Sequence, residues 1–506
     1  MKRNCGTQLR EITGTGVFLL AVFFITLFYG ATLREGHNWG GDFSQYIQHA
    51  VNIAEGRSYD DLKVIHNSLN YVAPKIYSPV TPLMLAPVYH YFGLDLTAMK
   101  LAQLVFFSLS LLLIAKLFGR SLSTAGVFAV LVLFALNPYV WGQKDNIHSE
   151  SLFLFFSFLS LWLMELRYRS SREDIWRGFG VLLGLTMYLA YATREIGVVL
   201  PLTVITYELV TLRKVTGTAL VATGVFLSFA LLQENLLEPH QYYPDIEASL
   251  STLAAELRMG EMTHSTIFKF DYAHIARQVL RYGESLREFW SVGYWPGLIV
   301  AIIVSMLALT GYVRRLWLHI SVSEIYTAGY VAVILLFAGF QGLRYLMPVI
   351  PLYLYYAFIG LQYSSERLGR QVAVILLVVI IAGAGAGYLH DYRQQDFSVI
   401  ADGISSPDAV AMLDYIRTQT SPDDLIVFRK PRVLALLTGR KSSIYPARYN
   451  PPVFLESLDV LGADYIVAGH FESDRTTLIP EIEHNPERFL PVFSQGNFTV
   501  YRYTPH

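Results

Sequence analysis

The chain has one cysteine, Cys5, among 506 residues, which excludes an internal disulfide and a zinc site built on cysteines. Charged residues make up only 16% and the formal net charge is −1, so there is no global basic field of the kind that gathers nucleic acid. The 13 histidines are scattered without an HExxH-type pair, so no metal site is read from the sequence. Internal repeats and low-complexity tracts are also missing, and the lack of two similar halves weighs against inverted-repeat transporters.

What is abundant is apolar surface: 53% of residues are hydrophobic and 14% aromatic, with a mean hydropathy of +0.38. Apolar runs at 17–33, 97–118, 122–140, 147–166, 177–193, 196–212, 215–233, 294–313, 323–341, 345–362 and 371–390 each approach the roughly 20 residues needed to span a bilayer. The pattern predicts a polytopic α-helical membrane protein of about eleven transmembrane helices. The first run follows a short basic N-terminus but lacks a small-residue cleavage site, so it reads as a helix rather than a signal peptide.

Charge sets the expected orientation. Lys2, Arg3 and Arg10 precede the first run, and every second connection is then basic: Lys116 and Arg120; Arg167, Arg169, Arg172 and Arg177; Arg213 and Lys214; Arg314 and Arg315; Arg367 and Arg370. The positive-inside rule puts these in the cytoplasm. Residues 1–390 then form a membrane module with outer loops 34–96 and 234–293, and 391–506 an outer domain. The first loop carries two short helical patterns. In 43–56 an apolar stripe of Tyr46, Ile47, Ala50, Ile53 and Ala54 opposes Gln45, Gln48, His49, Asn52 and Glu55, and Gly56 suits the C-terminal cap. In 77–93 the apolar stretch is too short to span, and Pro82 suits a helix start. Both patterns predict helices lying in the membrane interface. The tail alternates helical and strand-like stretches, with a hairpin expected near Gln495–Asn497, which predicts a small C-terminal α/β extracytoplasmic domain.

Several ionisable residues fall on this outer side. Asp42 heads the first short helix, where an N-cap is the commoner role and a base the rarer one. Lys144, Asp145, His148 and Glu150 lie before or at the start of the 147–166 run; Arg194 and Glu195 form a turn; Arg344 and Tyr345 open the 345–362 run. Taken singly, each reads as a snorkelling group or a structural pair. Together, acids and guanidinium groups from four outward connections can converge on an anionic head group beside a base.

The order "GGDFSQYIQHAVNIAEG", "YSPVTPLMLAPVYHYFG", "HSESLFLFF", "TREIG", "RYLMPVIPLYL" and "LLTGRKSSIYP" resembles the GT-C superfamily of membrane glycosyltransferases, in the branch of protein O-mannosyltransferases and the lipid A aminoarabinose transferase. The resemblance implies a GT-C fold and sugar transfer from a polyprenyl-monophosphate donor to a lipid, glycan or protein hydroxyl at the outer face, with inversion by single displacement. It implies catalytic roles for Asp42 and Glu150, and donor-phosphate contacts by Arg194, Arg344, Tyr345 and Lys75. Asp145, His148 and Tyr77 are the expected acceptor or sugar contacts. No cofactor is required on this reading, and a divalent cation is left open. One departure is Phe43, where many relatives carry a second acid beside the loop aspartate. The expected location is a bacterial inner membrane, with the N-terminus cytoplasmic. A transporter, or a non-catalytic assembly protein on the same scaffold, is the alternative.

Overall fold

A computed structural model describes residues 5–70, 74–169, 176–240, 242–256, 268–290, 295–446 and 451–505. Lys2, Arg3 and Arg172, three of the basic residues used for orientation, lie outside the described residues. Each of the eleven apolar windows carries a helix. Among the described residues, six helices are long and apolar enough to cross a membrane, or seven if the pair Thr124–Ala135 and Pro138–Asp145, bent by 56°, counts as one span.

Local chemistry sets the ends of these helices. Asp95, Ser123, Thr216 and Asp271 each accept a backbone N–H in the first turn, and Ser321 with Glu324 forms a capping box. The 56° bend follows from Asn137–Pro138: the asparagine caps a new helix and the proline starts it. Small residues set the closest helix pair. A Cβ built on Gly311 would lie 1.9 Å from the Tyr356 carbonyl oxygen, and one on Gly360 would lie 2.0 Å from that of Leu307. Only glycine lets Trp295–Leu318 and Ile350–Leu368 approach this closely.

The 345–362 window is not one helix. A single turn, Leu343–Leu346, is separated from Ile350–Leu368 by residues 347–349. Pro348 disfavours helix at Met347 and cannot donate a backbone hydrogen bond. Arg344 and Tyr345 therefore sit on their own short turn, which opens at Gly342 with φ +57°.

Outside the helical bundle, a five-stranded sheet is built from β1 (Leu425–Phe428), β2 (Lys441–Ser443), β3 (Tyr465–Ala468), β4 (Phe489–Gln495) and β5 (Phe498–Tyr503) in the order β2-β1-β3-β5-β4. β1 pairs in parallel with β2 and β3, while β3–β5 and β4–β5 are antiparallel. The last hairpin turns at Gly496 and Asn497. The first loop extends the sheet: Ile65 N donates to Ser442 O (2.9 Å) and Ser442 N to Lys63 O (3.0 Å).

The helix Gly41–Glu55 departs from the expectation of an interfacial helix with a wet polar face. Gln45, Gln48, His49 and Asn52 are buried. Asn52 donates to the carbonyls of Tyr59 and Asp61 at 3.2 and 2.9 Å, and Gln45 to that of Pro74 at 2.8 Å. The helix is covered on both sides, because Trp39, Phe43 and Ile47 share one apolar core with Leu413, Phe428, Val433 and Phe498 of the tail. Phe43 is part of that core and stacks on His37 with ring centroids 3.8 Å apart, which gives the departure at this position a packing role. Pro82 is not the residue that opens the second short helix, which runs Val80–Phe92.

Candidate active site at one end of the bundle

Asp42 lies in the first turn of Gly41–Glu55, but its side chain caps nothing. A capping aspartate in this chain looks like Asp95, which accepts from Ala98 N at 3.0 Å. Asp42 instead accepts from the Tyr77 hydroxyl at Oδ1 (2.8 Å) and from Arg344 Nη1 at Oδ2 (2.7 Å). Its side chain keeps 34% exposure. Burial raises the Asp42 pKa, but the Arg344 charge, hydrogen bonds from Arg344 and Tyr77, and the Arg432 charge outweigh it and hold the carboxyl below its ordinary value.

Glu150 is the buried centre of the group. Its side chain is 0% exposed, at the start of Glu150–Arg169, and it pairs with Arg194, Arg344 and His148. His148 Nδ1 lies 2.7 Å from Glu150 Oε2, and Gln143 Oε1 is 2.8 Å from its Nε2. Arg194 does not pair with its neighbour Glu195; it turns inward to Glu150 and lies 5.3 Å from the ring centre of Tyr345. Acids and guanidinium groups from four separated stretches thus meet. A buried carboxylate holding two arginines keeps both forks in place, which suits them to a phosphate.

Asp145 and Lys75 are not part of this group. Asp145 is fully occupied, with Arg34 Nε at 2.8 Å, Arg34 N at 2.9 Å and Lys144 Nζ at 2.6 Å, and so fastens the end of the first helix to the 143–146 turn. Lys75 directs its ammonium to Glu247 at 2.7 Å. Tyr77 and His148 do belong to the cluster.

The structure adds Arg432, which the sequence did not single out. It comes from the helix Pro431–Thr438 of the tail and donates from Nη1 to Gln45 Oε1 (2.7 Å) and to the Tyr77 hydroxyl (2.8 Å). Its Nη2 lies 3.9 Å from Asp42 Oδ1. The three guanidinium groups thus outnumber the two carboxylates here. Among the described residues, no group of three or more His, Cys, Asp or Glu could hold a metal ion.

Comparison with known proteins agrees with this architecture. Residues 76–237 match the family model of dolichyl-phosphate-mannose-protein mannosyltransferases. No curated protein sequence matches the chain. The fold is similar to that of ArnT from Cupriavidus metallidurans bound to undecaprenyl phosphate, with TM-score 0.56 at 13% identity over 96% of this chain and 98% of that one. It is similar to the Archaeoglobus fulgidus oligosaccharyltransferase complexed with Zn and sulfate, with TM-score 0.61 at 13% identity over 96% and 73%. A structure of the oligosaccharyltransferase AglB from Archaeoglobus fulgidus with an inhibitory peptide and a dolichol-phosphate gives TM-score 0.56 at 10% identity over 89% and 69%. The chain is a multi-pass integral membrane protein whose fold is similar to that of these membrane enzymes over nearly its whole length, with the mannosyltransferase family model matching residues 76–237.

Proposed function

We propose that this protein transfers a sugar from a polyprenyl-monophosphate donor to a hydroxyl acceptor at the outer face of a bacterial inner membrane. The observation that carries the reading is the pairing of Arg344 with both Asp42 and Glu150, which puts a phosphate-binding fork directly beside a partly exposed carboxylate. The undecaprenyl phosphate in the ArnT structure and the dolichol-phosphate in the AglB structure are ligands of the same chemistry.

In the proposed step, Arg194 and Arg344 hold the donor phosphate while Glu150 keeps them in place. The acceptor hydroxyl gives its proton to Asp42. Its oxygen bonds to the anomeric carbon from the side opposite the phosphate, and the carbon–oxygen bond to phosphate breaks with its electron pair. Polyprenyl phosphate leaves, and the anomeric centre is inverted. The leaving group is already a stable anion, so no strong general acid is required. A donor phosphate that engages Arg344 draws a cation away from Asp42 and makes the carboxylate a better base. The three guanidinium groups supply the positive charge, so the reaction as proposed needs no metal ion.

Eleven crossings, with the Asp42 end outside, accompany this reading. Support comes from the opposite end of the bundle, where the basic connections are tied by Arg120–Glu165, Arg169–Glu165, Arg314–Glu366 and Arg315–Glu324 pairs. Residues 391–506 then form the outer domain. The reading is tested by lipid analysis of a deletion strain: accumulation of a polyprenyl-phosphate sugar with an unmodified acceptor supports transfer, and an unchanged glycome favours a transporter or an assembly protein.

A further inference from the structure

We propose that Arg432 is a positioning residue for Asp42, so that the tail completes a site whose other charges come from the membrane module. This rests on the transferase reading above. Arg432 reaches Asp42 mainly through one intermediary. It donates to the Tyr77 hydroxyl at 2.8 Å, and that hydroxyl donates to Asp42 Oδ1 at 2.8 Å. The second bond of Arg432 Nη1, to Gln45 Oε1 at 2.7 Å, fixes the guanidinium against the Asp42 helix, and Gln45 Nε2 is itself fixed by the Pro74 carbonyl at 2.8 Å. The arginine side chain is only 11% exposed.

A second observation, independent of these hydrogen bonds, comes from the backbone beside the aspartate. A Cβ built on Gly41 would lie 2.5 Å from Arg432 Nη2 and 3.1 Å from its Cζ. The missing side chain at 41 is therefore the passage through which the tail's arginine reaches the site. Gly41 does not have a positive φ, so an alanine there costs no backbone strain, and the atoms it meets first are those of the Arg432 guanidinium.

The groups that face Asp42 are Arg344 from the Leu343–Leu346 turn, Tyr77 from the first loop, Arg432 from the tail and Tyr46 on its own helix, with Glu150 and Tyr345 behind them. Removing Arg432 withdraws one positive charge and loosens Tyr77, and leaves Arg344 and Arg194 in their places on Glu150. The effect is thus expected on turnover and its pH dependence rather than on phosphate binding.

The test uses full-length purified protein, undecaprenyl phosphate as the binding probe, and the polyprenyl-phosphate sugar from the deletion strain as donor. Arg432→Ala should bind undecaprenyl phosphate as wild type does. Its turnover should fall on the order of a hundredfold, the scale of a slightly misplaced reacting group, and its acid limb should move to higher pH. Arg432→Lys should recover part of the loss. Gly41→Ala should reproduce the defect, and Gly41→Ala with Arg432→Ala together should be no worse than Arg432→Ala alone. Wild-type turnover and pH profile in Arg432→Ala, or additive losses in the double variant, would overturn the inference while leaving the transferase reading intact. If wild type neither binds undecaprenyl phosphate nor turns over the donor, the transferase reading fails and takes this inference with it.

Discussion

Arg344 donates from Nη1 to Asp42 Oδ2 at 2.7 Å while its Nε pairs with the buried Glu150, so one guanidinium links the two acids of the site. The two acids thereby neutralise much of the arginine charge of the resting site. A donor phosphate must compete with Asp42 for this arginine, and that competition frees the aspartate when the donor arrives.

Lysine keeps the charge of an arginine but loses its planar fork. Arg344→Lys should therefore weaken binding of undecaprenyl phosphate, and Arg344→Ala more so; Arg194 should behave in the same order. Equilibrium binding in nanodiscs measures this. Wild-type affinity in both alanine variants would move the phosphate site elsewhere.

Removing one partner of a buried charge pair typically costs about 3–5 kcal/mol, because the charges left behind stay unpaired. Glu150→Ala strands Arg194, Arg344 and His148 together, so it should lower the melting temperature much more than Asp42→Asn does. Thermal unfolding in detergent compares them. Equal melting temperatures would mean that water satisfies the arginines and that Glu150 is not their anchor.

Orientation is tested with cysteines introduced at Ser405 and Lys214, both exposed, in a Cys5→Ser background. An impermeant thiol reagent applied to intact spheroplasts should label Ser405→Cys and spare Lys214→Cys. The reverse pattern would invert the proposed topology.

Chelation gives a separate check on the charge balance. Turnover should be unchanged by EDTA, since three arginines supply the positive charge of the cluster. A loss reversed by added divalent cation would show that the guanidinium groups are insufficient and that a metal completes the site.

The cluster was legible in the sequence to the extent that sidedness could carry it. Asp42, Glu150, Arg194 and Arg344 each stand at the same end of an apolar window, and helices of similar length bring such positions to one depth. What was not legible depended on which surfaces come together. Periodicity showed that 41–55 has an apolar and a polar face, but not that the tail and the first loop cover the polar one. Gln45 was therefore read as solvated when it accepts from Arg432. Arg432 itself stands in "FRKPRVLALL" beside three other basic residues counting Arg440, and only the docking of the tail on Gly41 distinguishes it. Lys75 was read toward the donor phosphate; its backbone lies beside the site, at 3.3 Å from Gln45 Nε2, while its side chain turns to Glu247. The interruption after Leu346 was available in the sequence, because Pro348 disfavours helix just before it.

The most direct test of the central claim is glycosyl transfer by folded Asp42→Asn. Asparagine keeps the shape of the side chain and can still accept from Tyr77, so the melting temperature should stay near wild type, and undecaprenyl phosphate, which no longer competes with a carboxylate for Arg344, should bind at least as tightly as in wild type. General-base catalysis is worth on the order of a hundred- to ten-thousandfold, and turnover should fall by that much. In the free wild-type enzyme the lowered Asp42 pKa keeps the base ionised through neutral pH, so kcat/KM should be lost only as pH falls below the ordinary carboxylate range; Asp42→Asn should lack that acid limb. Wild-type turnover with an unchanged pH profile in Asp42→Asn would contradict the account.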